Sequence, residues 1–137
     1  MKTAIDSNVI SSIWSNEPTA RTLVEKLNQA RSSGSLVIAP VVFAELHAHP
    51  RVDLARMAQL LESAEIEVDF DGQEAVWREA GLRFARYAAR RRQATGAEPR
   101  DILADYFIGA HALLQADCLV TTDKRVYRVD FPELMLV

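Results

Sequence analysis

Four carboxylates stand where the chain could bring them to one place. Asp6 closes the short apolar run Thr3-Ala4-Ile5 and is followed by Ser7 and Asn8 before apolar periodicity begins at Val9. Glu45 lies just past a second apolar run, Leu36–Ala39, and Asp123 just past a third, Cys118–Thr121. Asp105 falls one turn inside a helical pattern that carries Ile102, Phe107, Ile108, Leu113 and Leu114 on to Gln115. Four carboxylates in one cleft repel one another unless cations neutralise them. A donor set of oxygens, with no cysteine and no obligatory histidine, favours Mg²⁺ or Mn²⁺ over Zn²⁺. Such ions orient a phosphodiester, lower the pKa of water and offset charge on the leaving oxygen. No side chain stands out as a covalent nucleophile.

Three polar residues support this set. Ser7 and Asn8 are placed to hold Asp6 or a water, and Thr121 shares a direction with Asp123 if the chain there is extended. Each acid also has a plainer reading. Asp6 suits the N-cap of the first helix, Glu45 a solvent-facing helix position, and Asp123 a turn. Asp105 is harder to dismiss, because Ala104, Tyr106, Phe107 and Ile108 crowd it and a carboxylate there needs a partner.

The elements that must position these groups follow from periodicity. Val9–Ser15 reads as a short helix with Val9, Ile13 and Trp14 on one side, and Thr19–Arg31 as a second carrying Leu23, Val24 and Leu27. Leu36–Ala39, between Gly34 and Pro40, suits a buried parallel strand. Pro40 opens a helix that packs Val42, Phe43 and Leu46 and holds Glu45 in its second turn. Asp53 caps a helix with Leu54, Met57, Leu60 and Leu61. Ile66–Phe70 alternates like an edge strand. Asp71–Glu74 starts a helix through Val76, Trp77, Ala80, Phe84 and Tyr87 toward Arg92, and Ala94–Arg100 reads as a loop. Asp101 caps the helix of Asp105, Cys118–Thr121 is a strand, and Leu134–Val137 is read as a last strand. Strands alternating with helices predict an α/β fold with a mostly parallel sheet covered on both faces.

The 137 residues suit one domain, and 49% hydrophobic with 26% charged residues is the composition of a globular chain. A net charge of −3 argues against binding nucleic acid by bulk charge and leaves room for a local basic patch. The single cysteine, Cys118, excludes an intrachain disulfide and reads as a core residue. No apolar stretch approaches the roughly 20 residues of a membrane span. Asp6 comes too early for a signal peptide, so a cytoplasmic protein is expected.

The blocks Asp6-Ser7-Asn8-Val9, Phe43-Ala44-Glu45-Leu46, Ala104 to Ala112 and Thr121-Thr122-Asp123-Lys124 resemble those of PIN-domain nucleases. They are particularly similar to the VapC type, the toxin half of type II toxin–antitoxin pairs, over nearly the whole chain. The resemblance implies a Rossmann-like three-layer fold and a metal-dependent endoribonuclease acting on structured RNA, often tRNA or rRNA. It implies a small VapB-like antitoxin and a homodimer. The family's acids fall on Asp6, Glu45, Asp105 and Asp123, and its threonine on Thr121. Arg125, in the stretch Lys124–Tyr127 that reads as a loop, departs from the glycine of many relatives, and a positive φ there would strain it. Asp101, on the face of Asp105, either caps its helix or extends the acidic cluster.

Lys124, Arg125 and Arg128 flank Asp123 and are candidates for RNA phosphates. The run Arg90-Arg91-Arg92, with Arg83, Arg86 and Arg100, reads as a solvated helix face or a basic rim. His111, among Ala and Leu, reads as a buried, satisfied histidine; His47 and His49 are left unassigned. Trp14 and Trp77 default to the core. The rival readings are a catalytically silent PIN-type RNA- or protein-binding module and, further off, a receiver or Asp-dependent phosphatase domain. Asn8 stands where such a phosphatase wants its second Asp.

Overall fold

A computed structural model describes residues 1–97 and 103–137. Its strands are β1 (Lys2–Ile5), β2 (Ser35–Ile38), β3 (Ile66–Val68) and β4 (Cys118–Val120). The helices are α1 (Ser7–Trp14), α2 (Ala20–Ser33), α3 (Pro40–Leu46), α4 (Leu54–Ser63), α5 (Gln73–Thr95), α6 (Leu103–Gln115) and α7 (Arg125–Asp130). The strands form one sheet in the order β3-β2-β1-β4, and every pairing is parallel. This is the expected α/β three-layer architecture. Helical connections carry the chain outward from β1 through β2 to β3, and the chain then returns to add β4 on the other side of β1.

Apart from the exposed Lys2, Ser35 and Glu67 and the buried Thr3, the strands are apolar, as a doubly covered parallel sheet requires. Ile5, Leu36, Ile38, Leu119 and Val120 are at most 1% exposed. Burying each such side chain contributes about 1.5–3 kcal/mol. Local signals act as the sequence predicts. Pro40 sits at the start of α3, and the Asp53 side chain caps α4 by accepting from Arg56 N at 2.8 Å. Among the described residues no helix is long and apolar enough to cross a membrane.

The structure corrects the reading in four places. Leu134–Val137 is no full strand, because only Leu136 bridges to Leu119. The stretch after Asp123, read as a loop, is the helix α7. Trp77 is 62% exposed, since Val76, Ala80 and Arg83 line the buried stripe of α5 and Trp77 stands one position round. Leu54, at the first position of α4, is 67% exposed. Asp101 and Arg100 lie outside the described residues.

Gly109 matters to how α6 sits. A Cβ there would come within 2.5 Å of the Phe131 ring, which is fully buried after α7. The missing side chain lets Phe131 seat against α6, and so fixes α7 near the helix that carries Asp105.

Candidate active site

The sheet order reverses at β1: β2 and β3 extend to one side and β4 lies on the other. In open parallel sheets the crevice beyond the carboxyl ends of the strands at such a reversal is where ligands bind. Asp6 emerges there, its backbone N–H donating to Val120 O at 3.0 Å across the gap between β1 and β4.

Asp6 occupies the N-cap position of α1 but its side chain makes no capping bond. Instead the carboxylate, in a residue 3% exposed, turns across the sheet. Its Oδ2 accepts from Thr121 Oγ1 at 2.8 Å and from the Tyr127 hydroxyl at 2.8 Å, with Asn8 Nδ2 at 3.4 Å. Its Oδ1 meets Ser7 Oγ at 3.4 Å, and the same hydroxyl lies 3.2 Å from Glu45 Oε1. Ser7 therefore bridges two of the acids. Asn8 also accepts from Thr122 N at 3.2 Å, which fastens the exit of β4 to α1.

Asp105 projects from the first turn of α6, half-buried, and no hydrogen-bond donor reaches it among the described residues. Burial raises its carboxyl to about 6, and the charges of Asp6, Glu45 and Asp123 add to the rise. Partial burial also raises Glu45; the hydrogen bond from Ser7 works against that and the charge of Asp6 with it. These mutual effects are the electrostatic signature of carboxylates gathered at one edge.

Asp123 behaves differently. Its oxygens take the Arg125 guanidinium at 2.6, 3.0 and 3.2 Å and the Arg125 backbone N–H at 3.1 Å. The Arg125 side chain, followed by that N–H, holds the carboxyl down at about 2. The chain bends at Thr122, so Thr121 and Asp123 do not share a direction. Thr121 turns to Asp6 and Asp123 to Arg125. Arg125 opens α7 in a helical conformation and carries no positive φ; among the described non-glycine residues only Asn16 and Glu65 do. The expected strain at Arg125 is absent because a helix replaces the loop.

Among the described residues no three acidic, histidine or cysteine groups stand close enough together to enclose a metal as they lie. The donor chemistry nevertheless fits a hard divalent cation. Asp105 is a carboxylate without a donor among the described residues, Asp6 keeps Oδ1 turned away from its two short hydrogen bonds, and Glu45 meets it through Ser7. A cation there would offset the burial and the acidic charges that raise Asp105.

The other candidates divide. Lys124 is half-buried, while Arg125 and Arg128 are exposed one turn apart at the start of α7. Arg83 is structural: 8% exposed, it binds Glu79 at 2.7 Å, Glu133 at 2.8 Å and Asp130 O at 2.8 Å. Arg90 pairs with Asp130. His111 is buried as expected, with Nε2 3.0 Å from Asp69 Oδ2, and burial lowers its pKa. Its Nδ1 finds no partner among the described residues. His49 meets Ser15 Oγ at 3.0 Å and His47 the carbonyl of Phe43 at 2.8 Å. Tyr127 is the site residue that the sequence reading passed over. Its signal was the i, i+4 spacing with Phe131, which marks a helix with one packed face.

A family model described as the PIN domain matches residues 3–132. Comparison with curated protein sequences gives no match. Among solved structures, VapBC2 from Rickettsia felis bound to a promoter DNA fragment is similar with a TM-score of 0.63 at 18% identity, covering 100% of this chain and 98% of the other. VapBC-1 from nontypeable Haemophilus influenzae is similar with a TM-score of 0.62 at 21% identity, covering 100% and 97%. FitAcB from Neisseria gonorrhoeae is similar with a TM-score of 0.57 at 19% identity, covering 98% and 95%. At these identities the likeness is one of fold.

Proposed function

Because the chain belongs to the PIN-domain family, we propose that it is a metal-dependent endoribonuclease of the VapC toxin type, one domain over residues 1–137. The observation that carries this reading is the Asp105 carboxyl: it meets no donor among the described residues, and burial and the charges of Asp6, Glu45 and Asp123 raise it to about 6. Mg²⁺ or Mn²⁺ held by Asp6, Glu45, Asp105 and Asp123 would supply an activated water and stabilise charge on the leaving oxygen of an RNA phosphodiester.

The chain's own residues then have distinct tasks. Thr121 and Tyr127 hold Asp6 Oδ2, which fixes the plane of the carboxylate and presents Oδ1 to the cleft. Ser7, between Asp6 and Glu45, orients a water or a phosphate oxygen with its hydroxyl. Asn8 keeps the β4 exit in register with α1. Lys124, Arg125 and Arg128 meet RNA phosphates, a local role that a net charge of −3 makes necessary. Asp123 becomes available when Arg125 exchanges its carboxylate for phosphate.

A small VapB-like antitoxin as partner is supported by the VapBC structures of similar fold. A tRNA or rRNA target, a homodimer and a cytoplasmic location belong to the same proposal and rest on the family resemblance. A catalytically silent PIN module is the rival, and one observation favours it: Asp123 is already neutralised by Arg125. The deciding experiment is digestion of total bacterial RNA with Mg²⁺ or Mn²⁺ against EDTA, alongside Asp6→Asn and Asp105→Asn. Discrete metal-dependent products lost in both variants are expected. Activity that persists in both, or no cleavage by folded, antitoxin-free protein, overturns the nuclease reading.

A further inference from the structure

The four acids do not stand alike. Asp6, Glu45 and Asp105 act as a group. The Ser7 hydroxyl lies between Asp6 and Glu45, and beyond burial the charges that raise Asp105 are those of Asp6, then Glu45, with Asp123 last. After burial, the acids that keep the Tyr127 phenol protonated are Asp6, Asp105 and Glu45. Among the described residues none of these three carboxylates pairs with a lysine or arginine.

Asp123 stands apart, past the exit of β4, with its side chain 46% exposed. One guanidinium takes both its oxygens: Arg125 Nε donates to Oδ1 at 3.0 Å and to Oδ2 at 3.2 Å, and Nη2 to Oδ2 at 2.6 Å. The Arg125 backbone N–H, at the first residue of α7, adds a bond to Oδ1 at 3.1 Å. A fork on a carboxylate is among the stronger charge-assisted contacts. Its partners are two positions apart, so little chain has to be ordered to make it.

A divalent cation binds a carboxylate through the same lone pairs that Arg125 occupies. Asp123 can ligate only by releasing the guanidinium, whereas Asp6 Oδ1, Glu45 and Asp105 have no such charge to displace. The Arg125 side chain is 89% exposed, so water screens the pair and its strength is modest. The contact therefore restrains Asp123 without sealing it.

We propose that Arg125 is a resident counter-ion that holds Asp123 out of the cation site, so that the resting protein meets its divalent cation with Asp6, Glu45 and Asp105. Asp123 completes the set only when the guanidinium lets go, and Arg125 thereby lowers the protein's affinity for the cation. This rests on the cation-dependent reading above and deepens it.

The test is a double-mutant cycle read by calorimetry with Mn²⁺ alone, without RNA, at pH 7, above the raised Asp105 value of about 6. The proteins are the wild type, Arg125→Ala, Asp123→Asn and the double variant, with folding checked by circular dichroism. Arg125→Ala, at an exposed side chain, is expected to bind Mn²⁺ about three- to fivefold more tightly, the scale of one exposed ion pair. Asp123→Asn is expected to cost less than about twofold in the wild type and about three- to fivefold in Arg125→Ala. An equal cost in both backgrounds would mean that Arg125 acts as a bare charge, and an Arg125→Ala affinity no higher than the wild type's that it restrains nothing. Either result overturns the restraint, while Mn²⁺ binding by the wild type that is lost in Asp105→Asn leaves the nuclease reading standing. No Mn²⁺ binding by the wild type and Arg125→Ala alike overturns both.

Discussion

Replacing Asp105 by Asn is expected to stabilise the metal-free protein while removing its function. Asp105 is half-buried, meets no hydrogen-bond donor among the described residues, and has its carboxyl raised from 3.8 to about 6, chiefly by burial and then by Asp6, Glu45 and Asp123. Because the folded value lies above the unfolded one, this group favours the fold fully below pH 3.8, and the contribution is lost as pH rises through 6. Taken whole, a rise of about 2 pH units corresponds to about 3 kcal/mol. The carboxyl is partly open to water, so screening reduces this to about 1–2 kcal/mol. Asn has the same shape and no charge, so at pH 8 without metal the variant should unfold at higher urea by that amount. At pH 3, below both values, the two proteins should converge. Added Mn²⁺ should raise the melting temperature of the wild type and leave the variant nearly unmoved. Urea and thermal titrations at the two pH values decide it. An Asp105→Asn protein no more stable than the wild type at pH 8 would refute the claim that burial and the neighbouring acids disfavour the charged carboxylate here.

Three further expectations follow from neighbouring contacts. Tyr127→Phe removes one of the two short hydrogen bonds to Asp6 Oδ2 and should cost about 1–3 kcal/mol in urea unfolding, with a drop in RNA cleavage larger than the change in KM. His111 has its pKa lowered by burial, so its contribution to stability is complete above its ordinary value of 6.5 and is lost as pH falls toward the folded value. His111→Gln should therefore show a flatter decline in melting temperature between pH 7 and 5 than the wild type. Gly109→Ala drives a Cβ to 2.5 Å from the buried Phe131 ring and should destabilise by about 1–3 kcal/mol, read as a lower urea midpoint.

Three of the strands were legible as short, mainly apolar runs bounded by Gly, Pro or a carboxylate, which suit a doubly covered parallel sheet, and β3 as an alternation around Glu67. Asp6 at the end of β1 and Glu45 inside the Pro40 helix were placed by the same signals. What failed was local. Trp77 was assigned to the core by type, but a helix stripe is decided by angle, and Val76 and Ala80 occupy it. The segment after Asp123 was read through an expected glycine, so the helical spacing of Tyr127 and Phe131 went unused. Thr121 and Asp123 were expected to point together, which holds only for extended chain, and the bend at Thr122 separates them. The partner of Asp6 on α7 lies far along the sequence, and no local pattern announces a tertiary hydrogen bond.

That distant bond gives Asp6 two tasks, one for each oxygen. Oδ2 ties the end of β1 to Thr121 and to the Tyr127 hydroxyl, a residue 2% exposed whose phenol is held protonated by burial and the surrounding acids. Oδ1 faces Ser7 and Glu45 and is the oxygen left for a cation. Two substitutions at this position should therefore differ. Asp6→Asn can keep its carbonyl oxygen toward Thr121 and Tyr127, which turns the amide nitrogen to the cleft, where it cannot ligate a cation. Metal binding is then lost with α7 still docked. Asp6→Ala leaves a buried tyrosine hydroxyl without an acceptor, at about 1–3 kcal/mol, and frees the start of α7. Hydrogen exchange at Tyr127–Phe131 separates the cases: protection retained in the Asn variant and reduced in the Ala variant. Equal protection in both would mean that Tyr127 is held by packing against Phe131 alone, and that Asp6 serves the cleft only.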